Sequence, residues 1–211
     1  MDAPHPLRTA TGMIAAGTTL VSLIPLALNR VEVAATLFGF IPGRLSQTAW
    51  AAGAMPVVLT PLSSTLIHGS FLHLAGNLIM LMWCGLAVER VLGWRAVLIL
   101  YGIGAYVAAG AQYLVEPHGL NPVIGASGAI SALIGAFALS YGQQKAIVRS
   151  RSLNRWLNVA WLMAAWIAIQ IGFGYLMGEQ GMLLATSAHI GGFIAGLAMQ
   201  RPLLLYRYRN A

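Results

Sequence analysis

The sequence predicts an all-α, polytopic membrane protein, and three observations carry that prediction. Of its 211 residues, 58% are hydrophobic and 8% are charged, with a mean hydropathy of +0.75. Soluble domains carry roughly a quarter charged residues, so the solvent implied here is a bilayer. The apolar residues also gather into six segments, 13–29, 68–88, 96–115, 126–144, 156–177 and 183–200. Each approaches the ~20 residues that a helix rising about 1.5 Å per residue needs to cross about 30 Å of hydrocarbon. Finally, the basic residues are distributed unevenly. With the N-terminus inside, Arg8, Arg90, Arg95, Lys145, Arg149, Arg151, Arg155, Arg201, Arg207 and Arg209 fall on the cytoplasmic side, and only Arg30 and Arg44 fall outside. That asymmetry predicts an N-in, C-in orientation.

Taken in order, the first apolar run has the length of a secretory leader, but no small-x-small cleavage site follows it, so it is read as the first span. The connection 30–67, with "FGFIPGRLSQTAW", is too apolar for a solvated linker and is expected to lie as a loop in the membrane interface. The second span opens on His68, His73 and Asn77 and ends near Glu89. The fourth opens on "GASG", 125–128, and carries no charge until Lys145. The sixth contains His189. All six belong to a single membrane-embedded domain, 1–211.

Several function classes are excluded at this level. The net charge of +7 sits in short loops between apolar runs rather than in one patch, so no nucleic-acid partner is expected. Cys84 is alone, which rules out an intramolecular disulfide and makes it a small buried hydrophobe. There is no metal-spaced Cys/His cluster and no phosphate-binding loop, so neither a metal nor a cofactor is expected. The lipid bilayer is the partner the composition requires. Oligomeric state is not legible.

Polar side chains inside spans are costly and mark functional sites more often than in soluble proteins. Counting about 1.5 Å per residue from the nearest cytoplasmic charge, Ser127 lies about 27 Å up, His189 about 18 Å, His73 about 24 Å and Asn77 about 18 Å. Three separate helices therefore bring polar groups into the outer half of the membrane. Serine needs a base within hydrogen-bond reach to act as a nucleophile, and His189 is the candidate. The only aspartate is Asp2, in the N-terminal tail, and the glutamates fall in loops or on the inner face. A Ser-His dyad is therefore expected rather than a triad. His73 and Asn77, four residues apart, share a helix face and both can donate to a developing oxyanion. The Ser127 backbone N–H, at a helix N-terminus, is a third donor.

Bland readings stand beside this one. Gly-x-Ser-Gly is also close-packing sequence, a membrane histidine also lines pores, and His73 with Asn77 also ties a helix to a loop. A transporter with a polar outer vestibule would show broken helices, an internal repeat or an intramembrane acid, and none is found. The glycines add a packing layer. Ala188, Gly192 and Gly196 recur every four residues, and Gly128, Gly135 and Gly142 every seven. The fourth and sixth spans are expected to pack on these small faces and so bring Ser127 to His189.

Together, "HGSFLHLAGN" (68–77), "GLAVERVLG" (85–93), "GASG" (125–128) and "AHIGGFIAG" (188–196) resemble the motifs of the rhomboid family of intramembrane serine proteases over residues 63–200. The resemblance implies a six-helix rhomboid-like bundle, with Ser127 on a sunken fourth helix facing a water-filled cavity. It implies His189 as base and then acid, His73 and Asn77 on the oxyanion side, and Gly125, Gly128, Gly192, Gly196 and Glu89 in structural support. The implied reaction is cleavage of single-pass transmembrane proteins near the outer face. A mobile fifth helix would admit substrate, and the loop 178–186 would cover it. The short tails imply a bacterial-type minimal core in the inner (plasma) membrane, open to the extracytoplasmic side. Two departures stand out: the Trp-Arg pair of many members has only a loose echo in Gly43-Arg44 and Trp50, and Ser131 occupies the place of an aromatic that packs on the histidine in some members. A catalytically inactive client-binding relative and an enzyme dedicated to C-terminal sorting tags remain alternatives.

Overall fold

A computed structural model describes residues 8–46, 52–141, 148–176 and 186–209. Eight helices are found among them: α1 (Ala10–Ala27), α2 (Val31–Phe38), α3 (Thr60–Ser63), α4 (Phe71–Leu92), α5 (Trp94–Val115), α6 (Ser127–Tyr141), α7 (Arg151–Leu176) and α8 (Thr186–Arg207). A π-turn, Leu81–Gly85, interrupts α4, and 3-10 turns occupy Pro42–Leu45, Val57–Leu59 and Ser64–Leu66. The described residues are thus all-helical apart from loops and one isolated bridge between Phe40 and Val123. By length and composition, α1, α4 and α5 are apolar enough to cross a membrane, whereas the described part of α6, 15 residues, is shorter.

The expected segments correspond to helices with shifted ends. The second begins at Phe71, after the cap residue Ser70, whose side chain accepts from His73 N–H, and it continues to Leu92. The sixth runs past 200 to Arg207 through Pro202. The fifth takes Arg151 and Arg155 into its first turns.

The expectation of a loop over 30–67 is corrected. This segment contains α2, α3 and three 3-10 turns, and local hydrogen bonds supply its backbone partners. The hydroxyl of Thr60 donates to Val57 O (2.6 Å) and that of Ser63 to Phe38 O (2.6 Å). Arg44 is 6% exposed and donates through Nη2 to Met55 O at 2.7 Å. An apolar stretch away from bulk water must pair its own polar backbone, and short helices do so without a sheet partner. Trp50, Gly142 and the loop from 177 to 185 lie outside the described residues.

The centre of the bundle is α6, where Ala129, Ile130, Ser131, Ala132, Leu133 and Ala136 have no solvent exposure. A helix buried all round needs neighbours on every side; α5, α8 and α4 supply them through Val97, Leu100, Phe193, Leu81 and Val88. The outer helices turn apolar side chains away from the protein, as with Leu20 and Ile24 on α1 and Trp161 and Tyr175 on α7. Apolar surface on this scale requires a nonaqueous surrounding.

Glycine sets the closest approaches. A Cβ on Gly192 would overlap the Gly128 carbonyl oxygen, one on Gly196 that of Ala132, and one on Gly135 that of Phe193. Helices α6 and α8 therefore touch backbone to backbone. One part of the expected pairing changes. Gly128 presents its missing side chain to α5, where a Cβ would meet Ala108 Cβ at 2.7 Å, and only its carbonyl faces α8. A seven-residue repeat drifts by about 20° per step on a straight helix, so Gly128 and Gly135 serve different neighbours.

Gly85 and Glu89 form a second small-residue contact. A Cβ on Gly85 would lie 2.6 Å from Thr11 Cγ2, so α1 approaches α4 closely there. One turn later, Glu89 Oε1 accepts from Ala10 N (2.9 Å), and Oε2 accepts from Thr11 N (2.9 Å) and Thr11 Oγ1 (2.6 Å). These are first-turn amides of α1 that no intrahelical acceptor can satisfy. Glu89→Ala is expected to lower stability by about 2 kcal/mol and to free α1 from α4. Detergent-solubilised protein should show the lower unfolding midpoint, and an unchanged midpoint would refute this capping role.

Candidate active site

The segment before α6 is held from three directions. Phe40 and Val123 exchange backbone hydrogen bonds of 3.0 and 2.7 Å, and Gly125 N–H donates to Ser64 O at 2.9 Å. Ala126 N–H donates to His68 Nε2 at 3.3 Å. Phe40, Ser64 and His68 thus position the start of α6, a task the sequence did not disclose. Gly125 has φ +108°, a left-handed conformation that favours glycine. A Cβ there would also meet His73 Nε2 at 2.8 Å.

This turn presents Ser127 as the first residue of α6. Its Oγ lies 2.8 Å from His189 Nε2 on α8, with Ser127 7% and His189 2% exposed. Beside them is a cavity of ≈ 30 Å³ lined in part by Ser127, Gly128, His189, Ala188, Phe40 and Ser64, enough for about one water. As the first helical residue, Ser127 has a backbone N–H without an intrahelical acceptor.

His73 and Asn77 stand next to this pair on α4. His73 Nδ1 accepts from Gly69 N–H at 3.4 Å, which leaves the ring proton on Nε2. That Nε2 is buried without a partner and lies against Gly125. Asn77 Nδ2 donates to His73 O at 2.9 Å, and its Oδ1 is buried without a partner. Among the described residues, neither side chain hydrogen-bonds to Ser127 or His189. The structure therefore brings Ser127 to His189 directly, places His73 against the turn before Ser127, and points one Asn77 hydrogen at its own helix.

Three further participants were not assigned a role from sequence. His68 is fully buried; Nε2 accepts from Ala126 N–H, so Nδ1–H donates to Ser22 Oγ on α1 at 2.9 Å, and the Ser22 hydroxyl donates to Leu66 O at 2.7 Å. Its position five residues before His73 in an apolar segment was the available signal. Gln112 on α5, 1% exposed, accepts from Ser187 Oγ and fixes the start of α8. Trp166 on α7 lies edge-on to His189, with ring centroids 6.2 Å apart.

Residues 57–206 match the family model described as Rhomboid domain. The chain belongs to the rhomboid family. Among curated relatives, it is 30% identical to the rhomboid protease GluP of Bacillus subtilis over 76% of this chain and 28% of that protein. It is 29% identical to the rhomboid protease GlpG of Pectobacterium atrosepticum over 83% of this chain and 61% of that protein. It is 30% identical to RHOMBOID-like protein 5 of Arabidopsis thaliana over 68% of this chain and 44% of that protein. The chain thus spans less than two thirds of these relatives' own lengths, from 28% to 61%. Membership of the rhomboid family and three long apolar helices make it an integral membrane protein.

Proposed function

We propose that the protein is an intramembrane serine endopeptidase that cleaves single-pass transmembrane proteins through a Ser127–His189 dyad. The 2.8 Å contact between Ser127 Oγ and His189 Nε2 carries the reading, and relatives named rhomboid proteases support it. With His189 neutral and its proton on Nδ1, Nε2 accepts the serine proton as Oγ attacks the scissile carbonyl. The oxyanion is met by Ser127 N–H, by the unpartnered His73 Nε2–H, and by the second hydrogen of the Asn77 amide. His189 then protonates the leaving amine. Water entering the small cavity deacylates Ser127, with His189 again as base. Among the described residues no carboxylate hydrogen-bonds to His189, so the pair works as a dyad.

In this reading the chain is a six-span, N-in/C-in protein of the bacterial inner membrane, with the site open to the extracytoplasmic side. The charge asymmetry supports that orientation, which would set Ser127, the first residue of α6, at the outer end. Gly125, Gly128, Gly192, Gly196 and Glu89 support the site by close packing and capping.

The test uses purified protein reconstituted in vesicles with a tagged single-span substrate, alongside fluorophosphonate labelling. Cleavage near the outer face and labelling of the wild-type protein are expected. The base must be neutral, so protonation of His189 removes it, and the rate should fall on acidification. A labelling rate unchanged in His189→Ala rejects His189 as base, and an unlabelled wild-type protein rejects the enzyme.

A further inference from the structure

We propose that Trp166 is a positioning residue that ties α7 to both members of the dyad. The inference rests on the protease reading above. On α7, Trp156, Trp161, Ile169 and Tyr175 are exposed, whereas Trp166 is 3% exposed and points into the bundle. Its indole N–H donates to Ser131 Oγ at 2.7 Å, and Ser131 Oγ–H donates to the Ser127 carbonyl at 2.7 Å. The same ring meets the His189 imidazole edge-on, with planes at 69°. One side chain is therefore hydrogen-bonded, through Ser131, to the peptide that bears the nucleophile and is packed against the base.

The chemistry of the groups explains why these residues suit the task. A buried indole needs an acceptor for its N–H. Ser131 lies one helical turn after Ser127, and its hydroxyl donates to the i−4 carbonyl while its lone pairs accept from the indole. A serine here thus links two helices, which an aromatic at the same position would not do. His189 has no carboxylate partner among the described residues to orient its ring. The indole restricts that ring by contact, and small losses of alignment between reacting groups are expensive in rate. The contact also makes the dyad's alignment depend on where α7 sits.

Anchoring of α7 alone is separated from positioning by a small soluble probe. The rate of fluorophosphonate labelling reads dyad reactivity, and KM for a transmembrane substrate reads docking at α7. Trp166→Ala is expected to slow labelling and kcat about tenfold, with KM within about twofold of wild type. Trp166→Phe keeps a ring but loses the N–H, and Ser131→Ala removes the acceptor. Each should slow labelling about threefold or more. The Trp166→Phe/Ser131→Ala double variant should be no slower than Ser131→Ala alone, since Ser131→Ala already removes the Trp166–Ser131 hydrogen bond together with the bond to Ser127 O. Labelling of Trp166→Ala at the wild-type rate overturns the proposal, as does a double variant whose effect is the product of the singles. If Trp166→Ala does not fold, the Phe and Ala comparison at 166 and 131 decides alone. Failure of the protease reading looks different: the wild-type protein does not label, or Ser127→Ala still does.

Discussion

Ser127→Ala should lower substrate cleavage by about four orders of magnitude or more, with insertion and unfolding midpoint unchanged. The substitution removes one oxygen, the atom 2.8 Å from His189 Nε2, and leaves the tight turn at Gly125 and the helix start intact. His189→Ala should cost about as much, and the double variant about the same again, because nucleophile and base act as a unit. His73→Ala removes a buried donor that has no other partner, and should cost about 10²–10³ in kcat, the size of one oxyanion donor. Turnover of the vesicle substrate measures all four. Ser127→Ala retaining even about a hundredth of the wild-type rate would place the chemistry elsewhere.

The second large effect comes from glycine. Gly196→Ala and Gly192→Ala would each drive a methyl into a backbone carbonyl of α6, that of Ala132 or Gly128. No rotamer relieves a clash between Cβ and backbone, so α8 must move away. Overpacking of this kind costs about 1–3 kcal/mol, and a shift of about 1 Å between reacting groups costs about 10² in rate. Gly192 is three residues from His189, so the displacement reaches the dyad directly. Gly192→Ala is expected to lose about 10² in kcat, and Gly192→Leu to abolish activity while the protein still inserts. Gly17→Ala is the matched control, since nothing lies within 4 Å of a Cβ there. Wild-type activity in Gly192→Leu would refute backbone-to-backbone packing of α6 on α8.

The residues of the candidate site were legible where chemistry constrains type and spacing. Ser127, His189, His73 and Asn77 were legible because polar groups at membrane depth demand a reason, and Glu89 because a short-range motif marked it. The missed residues, His68, Gln112 and Trp166, act on partners 58, 75 and 35 positions away in sequence. Periodicity carries no information about such pairs. The same holds for Gly128, whose seven-residue spacing suggested one face while the helix twist gave it to α5.

By itself, the sequence determined the all-helical membrane class, the approximate segments, the family and the candidate dyad. Composition fixes the solvent, and the bilayer then allows few backbone solutions. Only the tertiary structure decided that Ser127 and His189 meet at 2.8 Å, that Phe40, Ser64 and His68 brace the turn before Ser127, and that Trp166 packs edge-on to His189 while donating to Ser131. The physical reason is range. Local pattern is read along one chain, whereas hydrogen-bond partners and sub-ångström fit arise between helices whose approach is set by a few absent side chains.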